Sequence, residues 1–327
     1  MRLGSLIHTK YITMHSDNYE DWMSTLPEEL WDIPLTSLAI PGSHDAMSYS
    51  LDLNSSLIQS ESDTFRLLDG LFYCLTRPAI YRWATTQVKD IVEQLSMGTR
   101  YFDLRIAHKP NDPSSELYFT HIIYTHLTVV DTMNAVASWL ESHPKEIIIL
   151  ACRQFQGLNE KIHEHFIVSL KKIFGFKLCP FTEAVPSLRS LWTSGYQVML
   201  SYDDQSAARH RLLWPAIPYW WANQPTASGV VSYLDWMKDM GRPNGFFVSG
   251  LNLTTDRSFI ALHPCQSLQK LTRTNWEPLR AWLEEQVPGQ NSKSLNIIAG
   301  DFIGHIPFVP LVIALNWKLL GRLKTRH

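Results

Sequence analysis

Seven short β-branched or aromatic runs recur along this chain with helical segments between them, and most stop abruptly in polar or glycine-containing stretches. They are SLAIPG (37–42), RYFDLRI (100–106), LYFTHIIY (117–124), EIIILACRQ (146–154), YQVMLSYD (196–203), GFFVSGLNL (245–253) and LNIIAGDFIG (295–304). Continuous apolar runs suit strands buried on both faces, and their alternation with helices reads as repeated βα units around a parallel sheet. A further strand fits AIPYWWANQ (216–224). Between the third and fourth runs, Val130, Met133, Val136, Ala137 and Leu140 follow a helical period, and His143-Pro144 ends that helix.

The 327 residues suit a single α/β barrel, an architecture of about 250 residues or more. Hydrophobic residues at 45% and charged residues at 18% supply a large core and leave no case for disorder. No repeat or low-complexity linker divides the chain, and NSSLIQSESDT (54–64) and EEQVPGQNSKS (284–294) read as surface loops. The expected architecture is α/β, one catalytic domain built as a barrel.

A net charge of -2 gives no field for nucleic acid. Cys74, Cys152, Cys179 and Cys265 are too scattered for a zinc site or a disulfide scaffold, and read as reduced core thiols of a cytoplasmic protein. The first 22 residues hold no apolar core of a secretory signal, and FVPLVIALNW (308–317) is short of the roughly 20 residues of a membrane span.

At the strand ends stand His44 and Asp45, Asp103 and Arg105, His121, Arg153, Tyr202 and Asp203, Asn252 and Asp301. In an α/β barrel those ends converge on one face. Two histidines, several carboxylates and two arginines at one mouth suit acid–base attack on a phosphodiester. The nucleophile must lose a proton, the leaving oxygen must gain one, and a cation must meet the added negative charge. Imidazoles oriented by carboxylates can do the first two, and a guanidinium fork the third. Taken singly, each residue has a plainer explanation: a satisfied core histidine, a structural Asp103–Arg105 pair, an Asp301 that caps a loop beside Gly300, or His126 in place of His121. His44 stands apart, because Pro41-Gly42-Ser43 force a turn just before it.

LAIPGSHDAMSY (38–49), GTRYFDLRI (98–106), YFTHIIYT (118–125), HPKEIIILACRQF (143–155), LWTSGYQVMLSYDD (191–204), PYWWANQ (218–224) and NIIAGDFIG (296–304), in this order, resemble the phosphatidylinositol-specific phospholipase C X-domain-containing proteins. The resemblance implies a distorted TIM-type (β/α) barrel. It divides the chain into an N-terminal extension (1–29), an X-type catalytic region (30–206), and a remainder (207–327) that completes the barrel and ends in a basic tail. It implies cleavage of phosphatidylinositol lipids to diacylglycerol and a cyclic inositol phosphate, with ring opening by water as a slower second step. His44 would be the general base and Asp301 its orienting carboxylate. His121 would be the general acid, partnered by Asp45, and Arg105 would hold the phosphate. Arg153, Tyr202, Asp203 and Asn252 are expected headgroup contacts.

Calcium is not expected as a cofactor. Where calcium-dependent relatives carry acidic ligands, this chain has Arg105 and Arg153, which would repel a divalent cation, and Asp103 is the single residual candidate ligand. One departure concerns Ile122, because catalytic relatives commonly have glycine after the second histidine. On a continuous strand, Ile122 would point to the helices. The substrate implies a transient, peripheral membrane partner. Lys318, Arg322, Lys324 and Arg326 after FVPLVIALNW, or the aromatics of LWPAIPYWWANQ (213–224), could meet lipid, or they could simply be a solvated helix end and loop packing. Two other functions fit the inventory: a weak or inactive headgroup-binding protein on the same barrel, and a metal-dependent glycerophosphodiester phosphodiesterase.

Overall fold

A computed structural model describes residues 19–263 and 265–323. Its single sheet contains β1 (Ile40–Ser43), β2 (Tyr101–His108), β3 (Leu117–His121), β4 (Ile123–Thr128), β5 (Ile148–Gln156), β6 (Val198–Tyr202), β7 (Leu213–Trp214), β8 (Tyr219–Trp220), β9 (Val248–Gly250) and β10 (Ile297–Gly300). The order is β7-β6-β5-β2-β1-β10-β9-β8, with every neighbouring pair parallel. The last strand returns to the first, with Ile40 opposite Ile297 and Ser43 opposite Gly300. The sheet curls into an α/β barrel that stays open between β7 and β8, which is its distortion.

Alternation along the strands builds two apolar layers. Tyr101, Ile149 and Met199 share one core with Ile40, Val248 and Ile297. Phe102, Leu104, Leu150 and Leu200 point the other way, onto Val136 and Leu140 of the helix Val129–Ser142 and Phe166 and Leu170 of Glu160–Phe174. Gly42 is required where β1 passes Tyr101: a Cβ there would lie 2.9 Å from the tyrosine ring and 3.2 Å from Ile297 and Ala299.

LYFTHIIY departs from the expected barrel strand. It folds as an antiparallel hairpin, β3 and β4, that extends β2 beyond the barrel rim, with Ile106 opposite Phe119 and His121 opposite Ile123. Ile122 makes the turn at φ 70° instead of continuing a strand, and it packs against a cluster that includes Leu57, Ile80 and Ala84. A second departure is a pair of helices, Asp63–Leu71 and Tyr73–Ala84, inserted between β1 and β2.

FVPLVIALNW packs as the helix Phe308–Ala314 and a following turn, with Phe308, Val312 and Ile313 buried and Asn316 clamping both backbone groups of Ala39. Lys318 donates to the Gln286 carbonyl at 2.8 Å. Lys324 and Arg326, like residues 1–18 of the extension, lie outside the described residues. Among the described residues, no helix is long and apolar enough to cross a membrane. All four cysteines are free; Cys152 and Cys179 are core, but Cys74 and Cys265 are exposed, Cys74 because it lies on the outer face of an inserted helix.

Candidate active site

β1 ends at Ser43, but its ladder continues for one bond, from the His44 amide to the Gly300 carbonyl at 3.1 Å. Asp45 then turns at φ 41°, which sends the two neighbouring side chains to different partners. Nδ1 of His44 lies 2.8 Å from Oδ1 of Asp301, just past β10. Oδ2 of Asp45 lies 3.1 Å from Nδ1 of His121, at the end of β3. That nitrogen also lies 2.5 Å from the Ala84 carbonyl; a carbonyl only accepts, so Nδ1 carries the proton and Nε2 is left for the cleft.

Between the two pairs stands Arg105, on the inner face of β2. Its Nη2 is 2.8 Å from Nε2 of His44 and 3.3 Å from Oδ2 of Asp103, and its Nη1 is 3.7 Å from Asp45. Arg153 comes from β5, opposite Arg105 in register, where a bulge and Gln154 at φ 51° re-aim the strand. Its Nε is 3.8 Å from Oδ1 of Asp103, and its guanidinium lies 5.3 Å over the Tyr219 ring. The Nε–H groups of Arg105 and Arg153 are both buried without a hydrogen-bond partner, and both side chains line the cleft.

The environment sets the charges. Asp103 is fully buried, which pushes its carboxyl up, but Arg105 and Arg153 outweigh that and hold it below the usual range. Burial raises Asp45 above the usual carboxylate range, against the pull of His121 and Arg105. Burial likewise lowers the His121 imidazole, partly offset by Asp45. Asp103 is therefore engaged by two guanidinium groups.

The cleft has a volume of about 390 Å³, and its lining includes His44, Arg105, His121, Ile122, Arg153 and Tyr219. Not every expected contact reaches it. Tyr202 is a correction: it stands in register with Cys152 and Leu104 on the outer face, packed on Phe166, with its hydroxyl 2.7 Å from Nδ1 of His163. Asp203, also corrected, lines a separate surface cavity with Phe181 and Arg211. Asn252 is buried and accepts from the Tyr219 hydroxyl at 2.9 Å, so it braces a cleft residue rather than lining the cleft.

Sequence reasoning missed residues 83–87. Trp83 and Thr86 line the cleft. Thr86 Oγ1 lies 3.2 and 3.0 Å from the His44 and Asp45 carbonyls, and Gln87 donates to the carbonyls of His44 and Gly300. Gln87 Oε1 accepts from the Ile303 amide at 3.0 Å, so this short segment touches every loop that carries a catalytic candidate. The signal was a polar Thr-Thr-Gln between two apolar helical segments, all of it buried.

No family model matches the chain. The human PI-PLC X domain-containing protein 1 is 50% identical over 302 residues, covering 92% of this chain and 93% of that protein. The chain belongs to the PI-PLC X domain-containing protein family. Protein 1 from Danio rerio is 47% identical over 92% of the chain, and protein 3 from the same fish is 36% identical over 92%. Among solved structures, a mutant of the phosphatidylinositol-specific phospholipase C from Staphylococcus aureus has a TM-score of 0.63 at 16% identity, covering 92% of this chain and 99% of that one. The corresponding Listeria monocytogenes enzyme has a TM-score of 0.63 at 19% identity, over 91% of this chain and 99% of that one. This member of the family therefore shares its barrel with the bacterial phospholipases C.

Proposed function

We propose that this protein is a phosphoric diester hydrolase of the phosphoinositide phospholipase C type, cleaving phosphatidylinositol lipids to diacylglycerol and a cyclic inositol phosphate. The observation that carries this reading is the pair of histidine–carboxylate contacts, His44–Asp301 at 2.8 Å and His121–Asp45 at 3.1 Å, on either side of Arg105. His44 takes the proton of the inositol 2-hydroxyl on Nε2, while Asp301 holds the resulting imidazolium. The alkoxide oxygen attacks phosphorus and forms the five-membered cyclic phosphate. His121 gives the Nε2 proton to the glycerol oxygen as the P–O bond breaks, and diacylglycerol leaves neutral. Arg105 meets the charge that builds on the non-bridging oxygens, in the place where calcium-dependent chemistry would use a metal ion, and Arg153 contacts the headgroup. The names of the bacterial neighbours, which act on phosphatidylinositol, favour the same substrate class.

The partner is a membrane surface, met transiently from the cytoplasm; four free cysteines favour a reducing compartment. A slow or non-catalytic headgroup binder is the second reading, favoured by Ile122, a β-branched residue held at φ 70° in the cleft wall. Phosphorus NMR of phosphatidylinositol micelles in excess chelator separates these readings. The proposal expects the diester signal to give way to a cyclic phosphate signal with wild type and not with His44→Ala or His121→Ala. Absence of turnover in any condition would favour the binder, and turnover abolished by chelator would favour the metal-dependent phosphodiesterase.

A further inference from the structure

Gln87 is fully buried just past the helix Tyr73–Ala84, and an amide at that depth has to be paired. Its Nε2 donates to the carbonyls of His44 and Gly300, each at 3.0 Å, and its Oε1 accepts from the Ile303 amide at 3.0 Å. Thr86 adds another bond, from the Phe302 amide to its own carbonyl at 2.7 Å. These backbone groups bracket a single pair of side chains. His44 follows β1, and Asp301 lies between Gly300 and Phe302.

Asp301 depends on that bracket. Its Oδ1 meets Nδ1 of His44, but its Oδ2 is buried without a hydrogen-bond partner among the described residues, so the backbone aims this carboxylate. The backbone there is strained: Phe302, large and buried, sits at φ 54°. Such a conformation persists only where the surroundings over-determine it.

Asp45, the carboxylate of the other pair, turns at φ 41° and is held from the same segment. Ser48 Oγ accepts from the Thr86 and Gln87 amides, both at 2.9 Å, and lies 2.7 Å from Thr86 Oγ1. Thr86 Oγ1 donates in turn to the Asp45 carbonyl at 3.0 Å, so the Ser48 hydroxyl donates to Thr86. Thr86 and Gln87 thus fasten loop 44–48 to loop 300–303. Thr86 lines the cleft, and Gln87 stands behind it.

We propose that Gln87 is a positioning residue of the base: by holding the His44 and Gly300 carbonyls and the Ile303 amide, it sets the distance between His44 and Asp301 without touching substrate. This deepens the phospholipase reading, on which its kinetic arm rests. A displacement of about 1 Å in such a constellation costs about 100-fold in rate.

The test is Gln87→Met, which keeps the length of the side chain and removes its hydrogen bonds. Gln197→Met is the matched control. Gln197 is also buried, and its Nε2 donates to the carbonyls of His143 and Glu146 at 2.9 and 3.2 Å, but it precedes β6, at the end of the barrel away from the mouth. Both variants are expected to melt below wild type. At a temperature where all are folded, Gln87→Met is expected to lose at least about tenfold in kcat for phosphatidylinositol with KM within about threefold, and Gln197→Met to match wild type.

The second readout needs no turnover. It is the Nδ1 chemical shift of His44 in nitrogen-15-labelled protein, read through the ring carbon protons and assigned by its loss in His44→Ala. In Gln87→Met this shift is expected to move toward its value in Asp301→Asn, where the carboxylate is gone. Gln87→Glu stands in if Gln87→Met fails to fold. As a carboxylate it keeps the acceptor for Ile303 and has no donor for His44 and Gly300, so kcat and the Nδ1 shift are expected to change in the same direction.

An unchanged Nδ1 shift or an unchanged kcat in the folded variant overturns the proposal, as does an equal loss of kcat in Gln197→Met. A wild-type shift identical to that of Asp301→Asn also overturns it, because no His44–Asp301 bond then exists to be set. A wild type without turnover, whose Nδ1 shift is still moved by Gln87→Met, would sink the phospholipase reading alone.

Discussion

Nη2 of Arg105 lies 2.8 Å from Nε2 of His44. A guanidinium only donates, so this nitrogen of His44 is unprotonated and the ring proton sits on Nδ1, facing Asp301. The base is therefore in its working tautomer, with its lone pair held by the residue expected to move onto phosphate. Asp103 fixes that guanidinium from behind at 3.3 Å. Arg105→Lys keeps the charge but loses the planar fork. We expect kcat to fall about 100-fold or more with KM changed far less, measured by steady-state release of inositol phosphate. A variant within a few-fold of wild type would remove Arg105 from transition-state stabilisation.

Ile122 carries the strain of the β3–β4 turn. A β-branched residue at φ 70° costs about 1–3 kcal/mol, which glycine would not incur. Its neighbour Ile123 is fully buried in ordinary strand geometry. Chemical denaturation should show Ile122→Gly within about 1 kcal/mol of wild type or above it, because relieved strain offsets the lost side chain. Ile123→Gly should lose about 3–5 kcal/mol. Turnover is expected to rise in Ile122→Gly; equal destabilisation by both substitutions would show that the turn stores no strain.

The His121–Asp45 pair sets a pH limit. As general acid, His121 must be protonated on both nitrogens, yet burial holds its imidazole below the ordinary range while Asp45 pulls it back up. The kcat/KM profile should therefore fall on its alkaline side with a midpoint below that of a free imidazole, because the enzyme loses the acid as pH rises through that value. Asp45→Asn removes the group that raises His121. The falling limb should move to still lower pH, and activity at neutral pH should drop. A limb that stays in place would mean that Asp45 does not control this proton.

Pro41-Gly42-Ser43, expected as a turn before His44, are the strand β1 itself, and the chain turns only at Asp45. The barrel was legible because buried parallel strands leave continuous apolar runs. Three features were not. LYFTHIIY has no glycine, asparagine or aspartate at its bend, so nothing in its composition separates a hairpin from a strand. The helices of 63–84 hold no histidine and no motif that sets them apart in the sequence, and only their place in the fold makes them a wall of the cleft. The partner of His44 lies 257 positions away, and sequence could reach Asp301 through resemblance but not through spacing. Tyr202 is a different kind of miss. Residues level with one another in neighbouring parallel strands face the same side, and Tyr202 is level with Cys152 and Leu104, whereas Arg153 is level with Arg105. Strand parity, read across neighbours, would have placed Tyr202 outside.

That parity gives a test of which residues meet the headgroup. Tyr202 is 1% exposed, and its hydroxyl satisfies the buried His163 ring at 2.7 Å. Tyr202→Phe leaves that ring nitrogen unpaired and should cost about 1–3 kcal/mol of stability in urea, with KM and kcat for phosphatidylinositol near wild type at a temperature where both proteins are folded. Arg153 is the opposite case. Its guanidinium lines the cleft, so Arg153→Ala should raise KM about tenfold or more through lost contact with an anionic headgroup. The two effects are expected to be separable: stability without catalysis for Tyr202, and substrate binding for Arg153. A rise in KM for Tyr202→Phe at full folding would return it to the substrate site and contradict the outward register of β6.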